Sequence, residues 1–111
     1  MTERWIEASK IDQIPEGAMA EWTFEDKHYI FIRQAKSVTC FLDRCSHQDV
    51  RLSEFGELRH DHIVCYAHGA EFSPETGQHL CPPATCGLVR FPVQTKNNTV
   101  WVDVNGGNTA S

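Results

Sequence analysis

The sequence predicts an all-β protein built as a small antiparallel β sandwich or barrel. Three observations predict it. Short runs rich in β-branched and aromatic residues recur along the chain and none reads as a helix. Breaks containing Pro, Gly, Asn or Asp separate them. The last run, Val100-Trp101-Val102-Asp103-Val104, alternates as a half-buried strand does.

Taken in order, Trp5-Ile6-Glu7-Ala8 opens the first strand, and Ile14-Pro15-Glu16-Gly17 has the Pro and Gly of a connection. Residues 19–24 alternate, and Glu25-Asp26-Lys27 is a polar break suited to a hairpin before residues 28–33. Residues 37–42 form a third β-rich run, in which Cys40 alternates with apolar neighbours as a small core residue. Residues 89–95 and 99–104 flank Lys96-Asn97-Asn98, where asparagine can take the left-handed turn conformation. Residues 105–111 are polar and glycine-containing and are expected to form a disordered tail. There is no internal repeat.

With 111 residues, 41% of them hydrophobic, the chain supports one domain, expected over residues 1–104. The net charge of −5 disfavours nucleic acid as a partner. The first residues lack an export signal and no apolar run reaches membrane-spanning length, so a soluble cytoplasmic protein without membrane contact is expected. Five cysteines in a reducing compartment need not pair.

The chemistry concentrates in two short limbs, Cys45-Ser46-His47 and, after seventeen residues, Cys65-Tyr66-Ala67-His68. Thiolates and imidazoles at such spacing hold iron, zinc or copper. A zinc finger commonly places both cysteines on one limb and both histidines on the other, around one tetrahedral ion. Here each limb is mixed. Two mixed limbs can bind two metals, one collecting both thiolates and the other both imidazoles.

C-x-H, then C-x-x-H-G, then Pro82-Pro83, resembles the Rieske 2Fe-2S family over nearly the whole chain. The resemblance implies a β base with an inserted cluster-binding subdomain at residues 43–84. It implies one 2Fe-2S cluster held by Cys45, His47, Cys65 and His68. Within the insertion, residues 57–64 and 70–72 look like strands and Ser73-Pro74-Glu75-Thr76-Gly77 like a turn. The proline segment corresponds to a stiff cover over the cluster, and Cys81 and Cys86 bracket it, where free thiols are favoured over a disulfide. Backbone N–H groups of Gln48-Asp49-Val50 and Gly69-Ala70 are the expected donors to sulfide, with Gly69 permitting close approach.

Two thiolates and two neutral imidazoles leave an oxidised core of two ferric irons and two sulfides neutral, so an added electron is expected on the histidine-bound iron. The bc-type branch of the family carries a disulfide between its ligand loops, and the corresponding positions here are Val50 and Ala67. It also carries serine and tyrosine donors where this chain has Ala70 and Phe72. Lacking those hydroxyls, the potential is expected near the bottom of the range, about −150 mV. His28, His60, His62 and His79 lack ligand spacing and are expected at the surface.

The resemblance is to soluble Rieske-type ferredoxins of ring-hydroxylating oxygenase systems. It implies a one-electron carrier, monomeric and with no bond chemistry of its own, between a flavin-dependent reductase and a terminal oxygenase of aromatic hydrocarbon catabolism. Partners would dock transiently near His47 and His68. Seven acidic residues in the insertion (Asp43, Asp49, Glu54, Glu57, Asp61, Glu71, Glu75) would suit a basic docking face. The alternatives are a small subunit of a reductase such as nitrite reductase, and a structural zinc-binding interaction module.

Overall fold

The hydrophobic run Tyr29-Ile30-Phe31-Ile32 has no polar residue for either side of a pleat, so the strand that contains it must be covered on both faces. The computed structural model describes residues 2–35, 37–45, 50–59, 61–66, 69–81 and 87–110. In it, β1 (Trp5–Lys10), β2 (Met19–Phe24), β3 (Lys27–Gln34) and β4 (Ser37–Leu42) are followed by a single helical turn, α1 (Leu52–Phe55). Then come β5 (Gly56–Arg59), β6 (His62–Cys65), β7 (Ala70–Phe72) and β8 (His79–Cys81). Last are β9 (Val89–Phe91), β10 (Val93–Lys96), β11 (Thr99–Asp103) and β12 (Asn108–Thr109). The strands form three antiparallel sheets, ordered β12-β9-β4-β3-β2, β1-β11-β10 and β5-β6-β7-β8.

Strand β3 is the wall between two cores. Tyr29 and Phe31 point one way and pack with Val38, Cys40, Phe91, Val100 and Val102, between the five- and three-stranded sheets. Ile30 and Ile32 point the other way and pack with Phe41, Leu52, Ile63, Phe72 and Leu88, which brings in the four-stranded sheet. The buried hydroxyl of Thr39 donates to the Pro74 carbonyl at 2.7 Å, fastening the same face of β4 to the β7–β8 turn.

The hairpin turns follow the predicted chemistry. Asn97 (φ 52°) and Asn98 (φ 63°) are both left-handed, as are Glu25 (φ 49°) and Asp26 (φ 67°), the pair of positive φ angles that a two-residue hairpin turn requires. The expected strand 89–95 is instead two strands broken at Pro92, where the chain leaves the five-stranded sheet and joins the three-stranded one. Proline has no amide for a ladder, so the crossing falls there. The expected strand 57–64 divides into β5 and β6 around Asp61 (φ 64°). A 3-10 turn at Ile11–Gln13, the helix α1 and strand β8 were not legible because each is at most four residues long.

The expectation of a disordered tail at residues 105–111 is corrected for the described part, residues 105–110. Asn108 and Thr109 pair with Arg90 and Val89, and the Ala110 amide donates to the Leu88 carbonyl at 2.9 Å. The glycines that read as disorder serve close packing: a Cβ at Gly107 would lie 2.7 Å from the Phe91 ring.

Cys40 is wholly buried, as expected, and burial pushes its thiol far above the ordinary 9.0. Tyr29 in the same core is raised too, by burial first and then by negative charge at Cys40 and Glu25, with Arg4 opposing. Both groups bind their protons more tightly folded than unfolded. Their contribution is therefore intact below the unfolded values and is lost as pH rises through them. Urea midpoints should fall as pH climbs past 9.0, and Cys40→Ala should flatten that fall. Parallel alkaline slopes for both proteins would contradict the assignment.

Candidate metal centre

The first limb leaves the end of β4. The Asp43 amide donates to the His28 carbonyl at 2.9 Å, extending the β3–β4 ladder by one step. The Cys45 amide then donates to the Val50 carbonyl at 2.9 Å, which closes a loop between those two residues. The second limb is the tip of the β6–β7 hairpin, where Cys65 faces Ala70 on one side and Gly56 on the other. There the Tyr66 amide donates to the Phe55 carbonyl at 2.6 Å, and the Gly69 amide to the Cys65 carbonyl at 2.9 Å.

Both thiols are shut away from water, Cys45 at 2% and Cys65 at 1% exposure, within one apolar cluster that includes Leu52, Ile63, Ala70 and Phe72. The two cysteines predicted from sequence, twenty residues apart, are thus brought into a common core. His47 and His68 lie outside the described residues, as do His60, Gln48, Asp49, Ala67, Pro82, Pro83 and Cys86. Among the described residues no three His, Cys, Asp or Glu side chains gather as a metal site. Any closed donor set that uses the two thiols therefore draws on groups beyond them.

The Gly69 amide, expected as a donor to sulfide, closes the turn onto the Cys65 carbonyl. Its φ of 76°, with open space around a Cβ, accounts for glycine there by backbone conformation. Ala70 and Phe72, the positions without hydroxyls, are buried at 1% and 0% exposure. Among the other histidines, His28 is exposed, with Nδ1 3.2 Å from the Thr23 hydroxyl, and half-buried His62 pairs through Nδ1 with Glu71 at 2.8 Å. His79 departs from a plain surface role: its Nδ1 is buried and has no hydrogen-bond partner among the described residues.

Sequence reasoning counted Asp43 among the acidic residues of a docking face, and the structure overturns that by burying it. Its carboxylate accepts from the Ser53 amide at 2.8 Å, from the Ser53 hydroxyl and from Arg51 Nε at 3.1 Å. Arg51 also reaches Glu21 on β2 at 2.8 Å. Burial works against the Arg51 charge, but the Asp43 hydrogen bond and the charges of Asp43, Glu54 and Glu21 outweigh it and raise the pKa. The sequence held one signal: Asp43 continues the parity of Thr39 and Phe41, which the structure turns toward the β7–β8 turn and the four-stranded sheet. Also unread were Phe55, Tyr66 and Leu80, large side chains left 49%, 53% and 46% exposed.

Comparison with known proteins gives one answer. Residues 4–92 match the model of the Rieske [2Fe-2S] domain. A ferredoxin component of a naphthalene 1,2-dioxygenase system from Pseudomonas aeruginosa is 31% identical over 105 residues, spanning 95% of this chain and 100% of that protein. Among solved structures, a chain from a complex of reduced oxygenase and oxidised ferredoxin in carbazole 1,9a-dioxygenase superposes with TM-score 0.80. Its identity is 27%, with 89% of this chain and 92% of that chain covered. The ferredoxin of carbazole 1,9a-dioxygenase from Nocardioides aromaticivorans IC177 shares the fold, with TM-score 0.79 at 20% identity, over 92% of this chain and 97% of its own.

The chain belongs to the Rieske [2Fe-2S] domain family, whose cofactor is a single 2Fe-2S cluster. The donor chemistry fits that group. Two buried thiols suit the sulfur-rich side of such a cluster, and each stands on a limb that continues to a histidine.

The α1–β5 junction supports the second limb and has no spare room. A Cβ on Gly56 would lie 2.5 Å from the Val64 carbonyl oxygen and 3.0 Å from that of Leu52. Gly56→Ala should therefore destabilise the chain by about 1–3 kcal/mol in urea unfolding. Parental stability in that variant would show that the junction has slack.

Proposed function

We propose that this chain is a soluble electron carrier of an aromatic ring-hydroxylating oxygenase system, taking single electrons from a flavin-dependent reductase and delivering them to a terminal oxygenase. The observation that carries this reading is the match over 100% of the length of a dioxygenase-system ferredoxin component. The likeness to a chain from an oxygenase–ferredoxin complex supports the same reading. In this proposal residues 43–84 are the cluster-binding insertion on a base formed by the rest of 1–104, and β5 to β8 pairing among themselves supports that division.

Cys45 and Cys65 would hold the inner iron, and His47 and His68 the outer one. When bound, the 2Fe-2S group supplies reversible one-electron exchange. The chain's own contribution is to keep water from the thiols, through Leu52, Ile63 and Phe72, and to leave Ala70 and Phe72 without hydroxyls that would stabilise added negative charge. That environment favours a low potential. Exposed Phe55 and Tyr66 give a docking partner apolar surface beside the second limb, with Glu54 exposed next to them. The protein would act as a monomer that docks transiently near His47 and His68. It would work in the cytoplasm, where Cys40 and Cys45, which form no disulfide, stay reduced.

Two outcomes are expected. The purified chain should be brown and restore aromatic hydroxylation when added to NADH, a flavin reductase and a terminal oxygenase. A colourless zinc-loaded chain would sink the carrier reading, and isolation only within a permanent reductase complex would replace it with a subunit role. His68→Cys should lower the reduction potential in voltammetry, because a third thiolate adds negative charge to the centre. An unchanged or raised value would contradict the proposed ligand.

A further inference from the structure

Asp43 stands at the foot of the first limb, two residues before Cys45, with its side chain 0% exposed. Among the described residues its carboxylate accepts three hydrogen bonds, all from across the loop: from the Ser53 amide at 2.8 Å, the Ser53 hydroxyl, and Arg51 Nε at 3.1 Å. The same loop is closed by the Cys45 amide on the Val50 carbonyl at 2.9 Å. The limb is therefore fastened twice at its base, once through backbone and once through a buried charge. Arg51 extends the second fastening to Glu21 at 2.8 Å, which ties the limb to β2 of the base.

Burying a carboxylate, even one paired with a half-exposed arginine, is a poor means of gaining stability, since apolar side chains of equal volume often do as well or better. What it adds is direction. A carboxylate gripped by three donors has one orientation, whereas packed methyl groups tolerate sliding.

We infer that Asp43 is a positioning residue of the metal centre: its carboxylate locks the first limb shut against Arg51 and Ser53, and so fixes the reach of Cys45 and slows loss of the cluster. This rests on the reading of Cys45 as a ligand.

The test uses the loaded chain with Asp43→Asn and Ser53→Ala. The readouts are iron and labile sulfide retained under chelator challenge, reduction potential, and amide hydrogen exchange by mass spectrometry. Partners that orient metal ligands typically matter about 10- to 100-fold, so Asp43→Asn should lose its cluster faster by that factor. Its potential should shift, and exchange should quicken at Cys45 and Ser53 while β2, β3 and β4 keep parental protection. Ser53→Ala, which leaves the charge pair in place, should move retention the same way by less, and it carries the test alone if Asp43→Asn does not fold. Parental retention in the variants overturns the inference. So does faster exchange throughout β2 to β4, which would make Asp43 a general support of the fold. If the unsubstituted chain shows no 2Fe-2S spectrum, the ligand reading has failed and this inference falls with it. A loaded parent with indifferent variants refutes the inference alone.

Discussion

Burial of β3 and β4 on both faces is the constraint on which the rest of the molecule depends. A strand carrying Tyr29, Ile30, Phe31 and Ile32 in succession offers apolar surface to both sides, and each such side chain contributes roughly 1.5–3 kcal/mol only once covered. The three-stranded sheet covers one side, through Val100 and Val102. The other side is covered by the four-stranded sheet, through Ile63 and Phe72. The four-stranded sheet therefore shares its core with the five-stranded one, and Cys45 and Cys65 are held by the same packing. Cys45 and Cys65 share a cluster with Ile30, Ile32 and Phe41, so the position of the candidate centre is coupled to the stability of the fold.

What could be read in advance follows from the range of each signal. The strands at residues 19–24 and 37–42 were legible to the residue because their composition and flanking turns agree, and the asparagine turn at residues 97–98 was legible because few residues tolerate positive φ. Signals that depend on tertiary pairing were not. The β12 strand is two residues long, and its partner Val89–Phe91 is remote enough in sequence that nothing local announces it. The glycines before it, taken alone, carry the signature of a flexible end, yet they are what lets the backbone lie against Phe91. Composition measures only local preference, and here long-range pairing overrides it.

The candidate site divides the same way. The four ligand candidates were legible because metal ligation needs particular side chains at close spacing, a constraint that lies within each limb. The buried thiols fit that reading. Asp43 was misread because charge counting treats each carboxylate as solvated, and only the parity it shares with Thr39 and Phe41 signals that it turns inward. Its withdrawal also alters the electrostatic picture. One of the seven acidic residues of the insertion faces Arg51 and Ser53 in the interior, Glu71 lies against His62, and Glu57 lies 3.6 Å from Arg59. The acidic surface open to a partner is thereby smaller than the sequence implies.

In the proposed carrier, that reduction shifts weight onto apolar contact. A carrier must bind each partner long enough to pass one electron and then release it, so a docking surface with strong, desolvated ion pairs would work against turnover. Phe55 and Tyr66 are linked through their backbones at the mouth of the second limb, and both side chains are about half exposed. Aromatic surface of that kind can be covered and uncovered without stranding a charge. The few charges around it are left to orient the encounter. In the proposed carrier the Asp43–Arg51 pair, buried at its carboxylate end, and the exposed aromatic rim have opposite tasks. One keeps the inner end of the first limb fixed, and the other keeps the outer surface free to exchange partners.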